Sequence, residues 1–182
     1  MGEAITIEQL KKEADRAYKS KDYLAAAKSY TAAADGYTHI DEQLQAAEMH
    51  NNASVAYLQG DQPGKALESA QDTDQVFANA GDLRRQAIAL GNQAAAYEAL
   101  NQLEAAVQAY QESSKLLKEI GDHELRPTVM QSLSAVQLRL GQQMDALVTM
   151  QAGLEEIEKP NLKQKLVKKI LRSPFSYFNR LP

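Results

Sequence analysis

Small residues recur along this chain at intervals of 40 residues. The first series is Ala26, Ala66, Ala106 and Ala146. Two further series at fixed offsets are also small, and they comprise Ala14, Ser54, Ala94 and Ser134, followed by Ala33, Thr73, Ser113 and Gly153. Small side chains at the same place in every unit let neighbouring helices approach closely, and such units bury their apolar faces only against each other. The sequence therefore predicts a stack of four similar units.

Each unit is predicted to contain two helices. Helix-forming residues dominate, and no stretch alternates apolar and polar residues over the length of a strand, which indicates an all-α protein. Two bulkier series fill the space between the small residues, and they comprise Ala17, Tyr57, Tyr97 and Gln137, followed by Tyr30, Ala70, Tyr110 and Met150. The predicted helices cover residues 7–20, 23–38, 42–59, 63–79, 83–100, 103–119, 126–140 and 143–158, and a ninth covers 161–172.

The boundaries between units carry turn signals. Gly81 and Gly121 suit left-handed positions after a helix, and the aspartates that follow them, Asp82 and Asp122, suit N-caps of the next helix. These signals predict four repeats and a separate C-terminal segment, with bounds at about 7–40, 41–81, 82–121, 122–158 and 159–182.

The repeated pattern resembles the tetratricopeptide repeat (TPR) family. The third unit, "NQAAAYEALNQLEAAVQAYQES", has the small residues, the late tyrosine and the early alanine typical of that family. The usual TPR period is about 34 residues, so the resemblance is to a variant with a 40-residue repeat and longer helices. Long repeats of this kind occur in TPR-like adaptors such as kinesin light chains and the soluble NSF attachment proteins, although no residue-level match to either is evident.

The resemblance implies a right-handed superhelix, an α-α solenoid of four hairpins, to which the pattern of the C-terminal segment adds a capping helix. The first helices of TPR hairpins line a concave groove that binds extended peptides or partner helices, so the resemblance implies a scaffold or adaptor that binds a peptide or protein. The candidate groove residues mix amides, charges and apolar side chains, and they are Lys11, Asp15, Tyr18, Glu48, Asn52, Val55, Asn92, Gln131, Leu138 and Arg139.

A groove that grips the C-terminal carboxylate of a chaperone, a known TPR activity, is not favoured. Asp15 stands where such a groove carries an asparagine, and Ile88 and Asn92 stand where it carries cations. An anionic peptide end would therefore meet an uncompensated carboxylate.

The sequence predicts neither catalysis nor a cofactor. The three histidines lie in different units without metal-binding spacing, and no cysteine is present to act as nucleophile or zinc ligand. We therefore expect no enzyme activity, no catalytic residue, no metal and no cofactor. The lack of cysteine, of a signal peptide and of a long apolar run leads us to expect a cytoplasmic protein.

Charge is distributed unevenly. Residues 1–158 hold all 24 acidic residues and 13 of the 20 basic ones, a net charge of −11. Residues 159–182 hold the other seven basic residues and no acid. Because an acidic body repels phosphates, we expect no nucleic-acid partner.

The basic C-terminal segment has an apolar side that suits a cap on the last hairpin. Leu162, Leu166 and Val167, with Ile170 and Leu171, are expected to lie on the helix at 143–158 and to leave the cations in water. Alternatively, the segment attaches to an anionic membrane or forms a homo-oligomer, although a helix facing lipid cannot bury the same face as a cap. The residues expected to make these tail contacts are Lys168, Lys169, Arg172, Phe175, Tyr177 and Phe178.

Overall fold

The computed structural model describes residues 6–169. Within this range the chain is all-α, and the helices with defined ends are α1 (Ile7–Lys19), α2 (Tyr23–His39), α3 (Gln43–Gln59), α4 (Pro63–Ala70), α5 (Thr73–Asn79), α6 (Leu83–Ala99), α7 (Leu103–Glu119), α8 (Arg126–Arg139) and α9 (Gln143–Glu156). A further helical segment, α10, covers 162–169, where the description ends. None of the helices in the described part is long and apolar enough to cross a membrane.

The helices pack in chain order as stacked hairpins. α1 pairs with α2, α3 with α4 and α5, α6 with α7, and α8 with α9. Each hairpin packs on the first helix of the next, so that α2 contacts α3, both α4 and α5 contact α6, and α7 contacts α8. This order confirms the prediction of an α-solenoid built from four TPR-like hairpins.

The evenly spaced small residues lie between the helices. All members of the three small-residue series are buried, and even Thr73 is only 4% exposed. The hydroxyl of Ser113 on α7 donates to the carbonyl of Ala87 on α6 at 2.7 Å, and that of Ser134 on α8 donates to Ala146 on α9 at 2.9 Å. The small side chains therefore let neighbouring helices approach closely, and hydrogen bonds from serine hydroxyls stabilise that approach.

The core is a succession of clusters between neighbouring helices. One cluster joins α1, α2 and α3 around Tyr30 and Met49, a second joins α3, α5 and α6 around Phe77, and a third joins α6, α7 and α8 around Tyr110 and Val136. Each unit therefore depends on contacts with the units beside it, as expected for a solenoid.

Left-handed residues end the helices at intervals of 20 residues. Gly81 and Gly121 are among them, which confirms their predicted conformation. Non-glycine residues also occupy such positions. In this series, the left-handed residues inside hairpins are Lys21, Asp61, Asn101 and Gly141. The left-handed residues between hairpins are Asp41, Gly81 and Gly121. The φ angles of all seven lie between 57° and 75°.

The two predicted N-cap aspartates behave differently. Asp82 caps α6, because its Oδ1 accepts a hydrogen bond from the backbone N–H of Arg85 at 2.9 Å. Asp122 accepts from the backbone N–H of Leu125 at 2.9 Å, but α8 begins only at Arg126. Asp122 therefore caps the turn that precedes α8, and the prediction that it caps the helix itself is wrong.

The predicted single helix at 63–79 is also wrong, because it is divided into α4 and α5. The chain turns at Gln71 and Asp72, and Asp72 is left-handed with φ 59°. The break leaves the carbonyl of Ala70 without a helical partner, and two side chains replace that partner. Thr73 Oγ1 donates to this carbonyl at 2.7 Å, and Gln93 Nε2 of α6 donates to it at 2.9 Å.

α10 lies on α9 with a different orientation from the one expected. Val167 is half-buried, whereas Leu162 is 85% exposed and Leu166 is 59% exposed. The prediction that these leucines pack on α9 is therefore wrong. Ile170 and Leu171 lie outside the described residues.

Candidate functional site

The predicted groove residues all lie on the first helices of the hairpins. Lys11, Asp15 and Tyr18 are on α1, and Asn92 is on α6. The remaining residues divide between α3, which carries Glu48, Asn52 and Val55, and α8, which carries Gln131, Leu138 and Arg139.

Two of the charged groove residues on α1 are bound to α2. Asp15 Oδ1 accepts a hydrogen bond of 2.6 Å from the hydroxyl of Tyr30, and burial together with this bond raises the pKa of Tyr30. Lys11 Nζ lies 3.3 Å from both Glu8 Oε1 and Tyr37 Oη. These polar groups already hold the first hairpin together, so a ligand would have to compete for them.

Three further groove residues connect successive hairpins. Glu48 on α3 pairs with Arg85 on α6 at 3.5 Å. Asn92 on α6 donates to Asn51 Oδ1 on α3 at 3.2 Å, and Arg139 on α8 donates to Glu98 Oε1 on α6 at 3.1 Å. These three side chains join successive first helices.

Five groove residues, namely Tyr18, Asn52, Val55, Gln131 and Leu138, show no hydrogen bond or ion pair within the described chain. Leu138 is 48% exposed, Asn52 and Val55 are half-buried, and Tyr18 makes an edge-on ring contact with Tyr23 of α2. These side chains are the groove residues most available to a partner.

An open cleft separates α6 from α8. Its volume is about 250 Å³, its floor is formed by α7, and its walls are small or apolar residues with an amide and hydroxyls at the edge. The wall residues on α6 are Ala87, Ile88, Gly91, Asn92 and Ala95, the floor is Tyr110, Ser113 and Leu117, and the opposite wall is Leu125, Thr128, Val129 and Ser132. Of the predicted groove residues, only Asn92 lines this cleft.

A hydrogen-bonded chain extends from the floor of this cleft to α8. The hydroxyl of Tyr110 donates to Glu98 Oε2 at 3.3 Å, and Arg139 donates to Glu98 Oε1 and, at 2.9 Å, to Asn101 Oδ1. Burial and the carboxylate of Glu98 raise the pKa of Tyr110 to about 12. The phenol therefore remains a hydrogen-bond donor at neutral pH, and the polar chain links α7, α6 and α8 beside the cleft.

A second cavity, of about 380 Å³, lies between α8, α9 and α10. It repeats the first cleft one unit later, because residue pairs 40 positions apart line the two, namely Ala87 and Pro127, Gly91 and Gln131, Tyr110 and Met150, Ser113 and Gly153, and Leu117 and Ile157. α10 therefore occupies the place of the first helix of a further unit. The predicted groove residue Gln131 lines this cavity.

The predicted tail contacts fall into two groups. Lys168 points inward, where its Nζ donates to the carbonyl of Leu154 near the end of α9 at 3.2 Å, and Lys169 is exposed. The other predicted tail residues, Arg172, Phe175, Tyr177 and Phe178, lie outside the described residues.

Sequence reasoning missed a polar network at the break between α4 and α5. Asn51 is 6% exposed, its Oδ1 accepts from Asn92 and lies 3.5 Å from Thr73 Oγ1, and Gln93 Nε2 donates to Asp74 Oδ1 at 2.8 Å. The only sequence signal is that amides occupy positions 51, 92 and 93 on first helices, where most core residues are apolar. This network fixes the second hairpin on the third.

A second connection that sequence reasoning missed lies at the start of α8. Arg126, whose side chain is 12% exposed, forms an ion pair with Glu156 at the end of α9. Its Nε also donates to the carbonyl of Ser114 on α7 at 3.0 Å. Burial lowers the pKa of Arg126, but a guanidinium remains charged at neutral pH. The pair therefore joins three successive helices.

Stacked hairpins with buried small residues, clefts between first helices and polar links across them define a TPR-like α-solenoid. A family model described as soluble NSF attachment protein, SNAP, matches residues 6–177. The chain therefore belongs to the soluble NSF attachment protein (SNAP) family. This is a family of non-catalytic adaptors whose solenoids bind protein partners.

The fold is also similar to a solved structure. The crystal structure of BtubC (BKLC) from P. vanneervenii matches with a TM-score of 0.74 and 15% sequence identity, over 95% of this chain and 74% of that chain. This similarity supports the solenoid fold alone. No curated protein sequence matches the chain.

Proposed function

We propose that this protein is a non-enzymatic adaptor that binds a peptide or a helix of a partner protein along the first helices of its hairpins. The cleft between α6 and α8 carries this proposal. It is smaller than the about 300–1,000 Å³ typical of small-molecule sites, and no charged residue is among the described residues that line it. An apolar side chain of a partner would fill it as an anchor.

The groove on either side of the cleft would hold the rest of the ligand. Asn52 offers an amide to a peptide backbone, and Tyr18, Val55 and Leu138 offer apolar contact. Four other predicted groove residues, Lys11, Asp15, Glu48 and Arg139, would join in only where a ligand replaces their contacts within the chain, and Gln131 lines the cavity beside α10. The cleft between α6 and α8, rather than the charged groove residues, is therefore the centre of binding.

The repeat assignment belongs to the same proposal. We propose that residues 7–40, 41–81, 82–121 and 122–158 are four repeats of a long, 40-residue TPR variant, with 159–182 as a separate segment. The spacing of the left-handed residues supports these bounds. The absence of cysteine fits the reducing cytoplasm, where we expect the adaptor to act.

The test is capture of partners from native lysate, followed by measurement of their affinity. The family is named for attachment to NSF, so NSF is the first candidate partner. Ala95→Glu places a carboxylate in the cleft wall, and we expect it to abolish capture. Ala135→Glu is the matched control, because Ala135 is the equivalent residue one repeat later and does not line the cleft.

Two further results define the outcome. Circular dichroism must show the same helicity for both variants, so that lost capture reports the cleft and not unfolding. If Ala95→Glu captures the same proteins as the unchanged chain, the cleft is not the binding site. Simultaneous substitution of Asn52, Asn92 and Arg139 then tests whether the groove binds at another place.

A further inference from the structure

An exposed stripe on α10 combines leucines with lysines. Leu162 and Leu166 are four residues apart and therefore lie on one face of the helix, where they are 85% and 59% exposed. Lys165 and Lys169 are also exposed and flank the same face. α10 therefore presents an apolar strip bordered by positive charge.

The attachment of α10 to the body leaves this stripe free. Gln164 and Val167 line the cavity against α9, and Lys168 donates to the carbonyl of Leu154. The inward face and the leucine face are therefore on different sides of the helix. α10 can pack on the solenoid and still present its leucines outward, which removes the conflict between a capping helix and a membrane-binding helix.

The start of α10 is capped without Leu162. Asn161 Oδ1 accepts a hydrogen bond from the backbone N–H of Gln164 at 2.9 Å, and Gln164 Oε1 accepts one from the backbone N–H of Asn161 at 2.8 Å. Leu162 is the first residue of α10 and takes no part in these bonds, so capping of the helix does not require a leucine there.

We propose that the stripe formed by Leu162, Lys165, Leu166 and Lys169 docks on an anionic lipid surface. Leucine side chains of an interfacial helix enter the boundary between headgroups and acyl chains, and lysines reach lipid phosphates and carboxylates. The seven basic residues of 159–182, with no acid among them, complement such a surface. Because residues 1–158 carry a net charge of −11, the field near a negative membrane turns the basic end towards it.

The acids closest in the sequence belong to another part of the structure. Glu155 and Glu156 belong to α9 and Glu158 follows it, whereas Leu162 and Leu166 of the stripe are exposed on α10. A second copy of this chain is a poorer occupant, because two such stripes placed face to face would bring Lys165 and Lys169 of both copies together. The charge of the surface therefore favours lipid.

Sedimentation of the full chain with vesicles tests this inference. We expect binding to phosphatidylserine-rich vesicles and at least about tenfold weaker binding to pure phosphatidylcholine, with the difference reduced by salt. Leu162→Gln combined with Leu166→Gln should lower binding at least about tenfold. Ile40→Gln is the control, because Ile40 is also 59% exposed but lies at the end of α2.

A charge test accompanies the leucine test. Lys165→Glu combined with Lys169→Glu should also lower binding at least about tenfold. Lys19→Glu combined with Lys28→Glu makes the same charge change at exposed sites of the first hairpin and should bind more strongly than that variant. Circular dichroism should be unchanged throughout.

Three outcomes would overturn the inference. The first is that the full chain stays in the supernatant at low salt, and the second is that the leucine variant sediments like the unchanged chain. The third is that light scattering shows an oligomer that the leucine variant converts to a monomer, which would mean that a second copy covers the stripe. Lipid binding is independent of the cleft, so Ala95→Glu should leave it unchanged.

Discussion

Asn92 on α6 donates a hydrogen bond to Asn51 on α3, with 3.2 Å between Nδ2 and Oδ1. Asn51 is buried, and its own amide donates to the carbonyl of Ala47 at 3.3 Å. The oxygen of Asn51 also lies 3.5 Å from Thr73 Oγ1 on α5. One amide side chain thus connects three helices of two hairpins, at the place where the second hairpin is broken.

Replacing Asn51 should therefore weaken the solenoid. We expect Asn51→Leu to lower the free energy of unfolding by about 1–3 kcal/mol, because buried polar groups lose their partners. Urea denaturation followed by circular dichroism measures this loss. Asn52→Leu is the control, since Asn52 has no hydrogen-bond partner in the described chain and should change stability by less than about 0.5 kcal/mol. Equal losses for the two variants would contradict this role of Asn51.

Two helical glycines should respond in opposite ways to alanine. A Cβ at Gly153 would lie 3.0 Å from Met130 Cβ, so Gly153→Ala must push α9 away from α8 and should cost about 1–2 kcal/mol. A Cβ at Gly91 would have only Ser113 Oγ nearby, at 3.6 Å. Gly91→Ala should therefore stabilise the chain by up to about 1 kcal/mol through helix propensity. The Tm of each variant, measured by thermal unfolding, tests this expectation. A change in Tm of the same sign for both variants would contradict it.

The left-handed turn residues predict a pair of opposite effects. Lys21 and Gly141 are equivalent residues of the first and fourth hairpins, and both have positive φ. A side chain is strained in this conformation, so Lys21→Gly should raise stability and Gly141→Ala should lower it, each by about 1 kcal/mol. Gly64→Ala is the control, because Gly64 is helical and a Cβ there meets no atom within 4 Å. A loss of stability at Gly64 would show that the substitution itself, and not φ, is responsible.

Gln137 should tolerate an apolar replacement. It is 3% exposed, and its Oε1 has no hydrogen-bond partner in the described chain. The equivalent residues of the second and third hairpins are Tyr57 and Tyr97, which fill the same space with rings. Gln137→Met keeps the volume and removes the unsatisfied oxygen, so we expect about 1 kcal/mol of stabilisation and a higher Tm. A lower Tm would show that the amide makes a contact that methionine cannot replace.

Acid should destabilise the turns before α6 and α8. Backbone hydrogen bonds, mainly from Arg85 and Leu125 respectively, lower the pKa of Asp82 and of Asp122. A folded-state pKa below the unfolded value means that this stabilisation is present above about pH 4 and is lost as the pH falls through the folded-state values.

The measurement is urea denaturation at several pH values between neutrality and pH 3. Asp82→Asn combined with Asp122→Asn should make stability less dependent on pH in the acid range, because asparagine accepts the same backbone bonds without titrating. Glu68→Gln, at an exposed position of α4, is the control. If the free energy of unfolding of the double variant falls at low pH as much as that of the unchanged chain, Asp82 and Asp122 are not the source of the pH dependence.

The candidate site was only partly predictable. Asn92 lies on the helix predicted for it, but the sequence does not mark its partner Asn51, because the equivalent residues of the other hairpins, Lys11, Gly91 and Gln131, share no buried amide pattern with it. The cleft was not foreseen, since Gly91 and Ala95 are small residues typical of a helix interface, and the sequence does not show that α6 and α8 are separated there. A sequence pattern shows which side of a helix is apolar, but it does not show whether a neighbour covers that side.

The sequence by itself determined the repeat. Three series of small residues at one interval leave stacked helix pairs as the arrangement that buries them all, and their burial confirms that expectation. The tertiary structure alone decided the break at Asp72, the cleft between α6 and α8 and the outward face of α10. Each of these depends on contacts between residues distant in the chain, such as Gln93 with Ala70 and Lys168 with Leu154. The periodicity of the sequence does not predict such pairs, because their hydrogen bonds form only when the neighbouring helices have packed together.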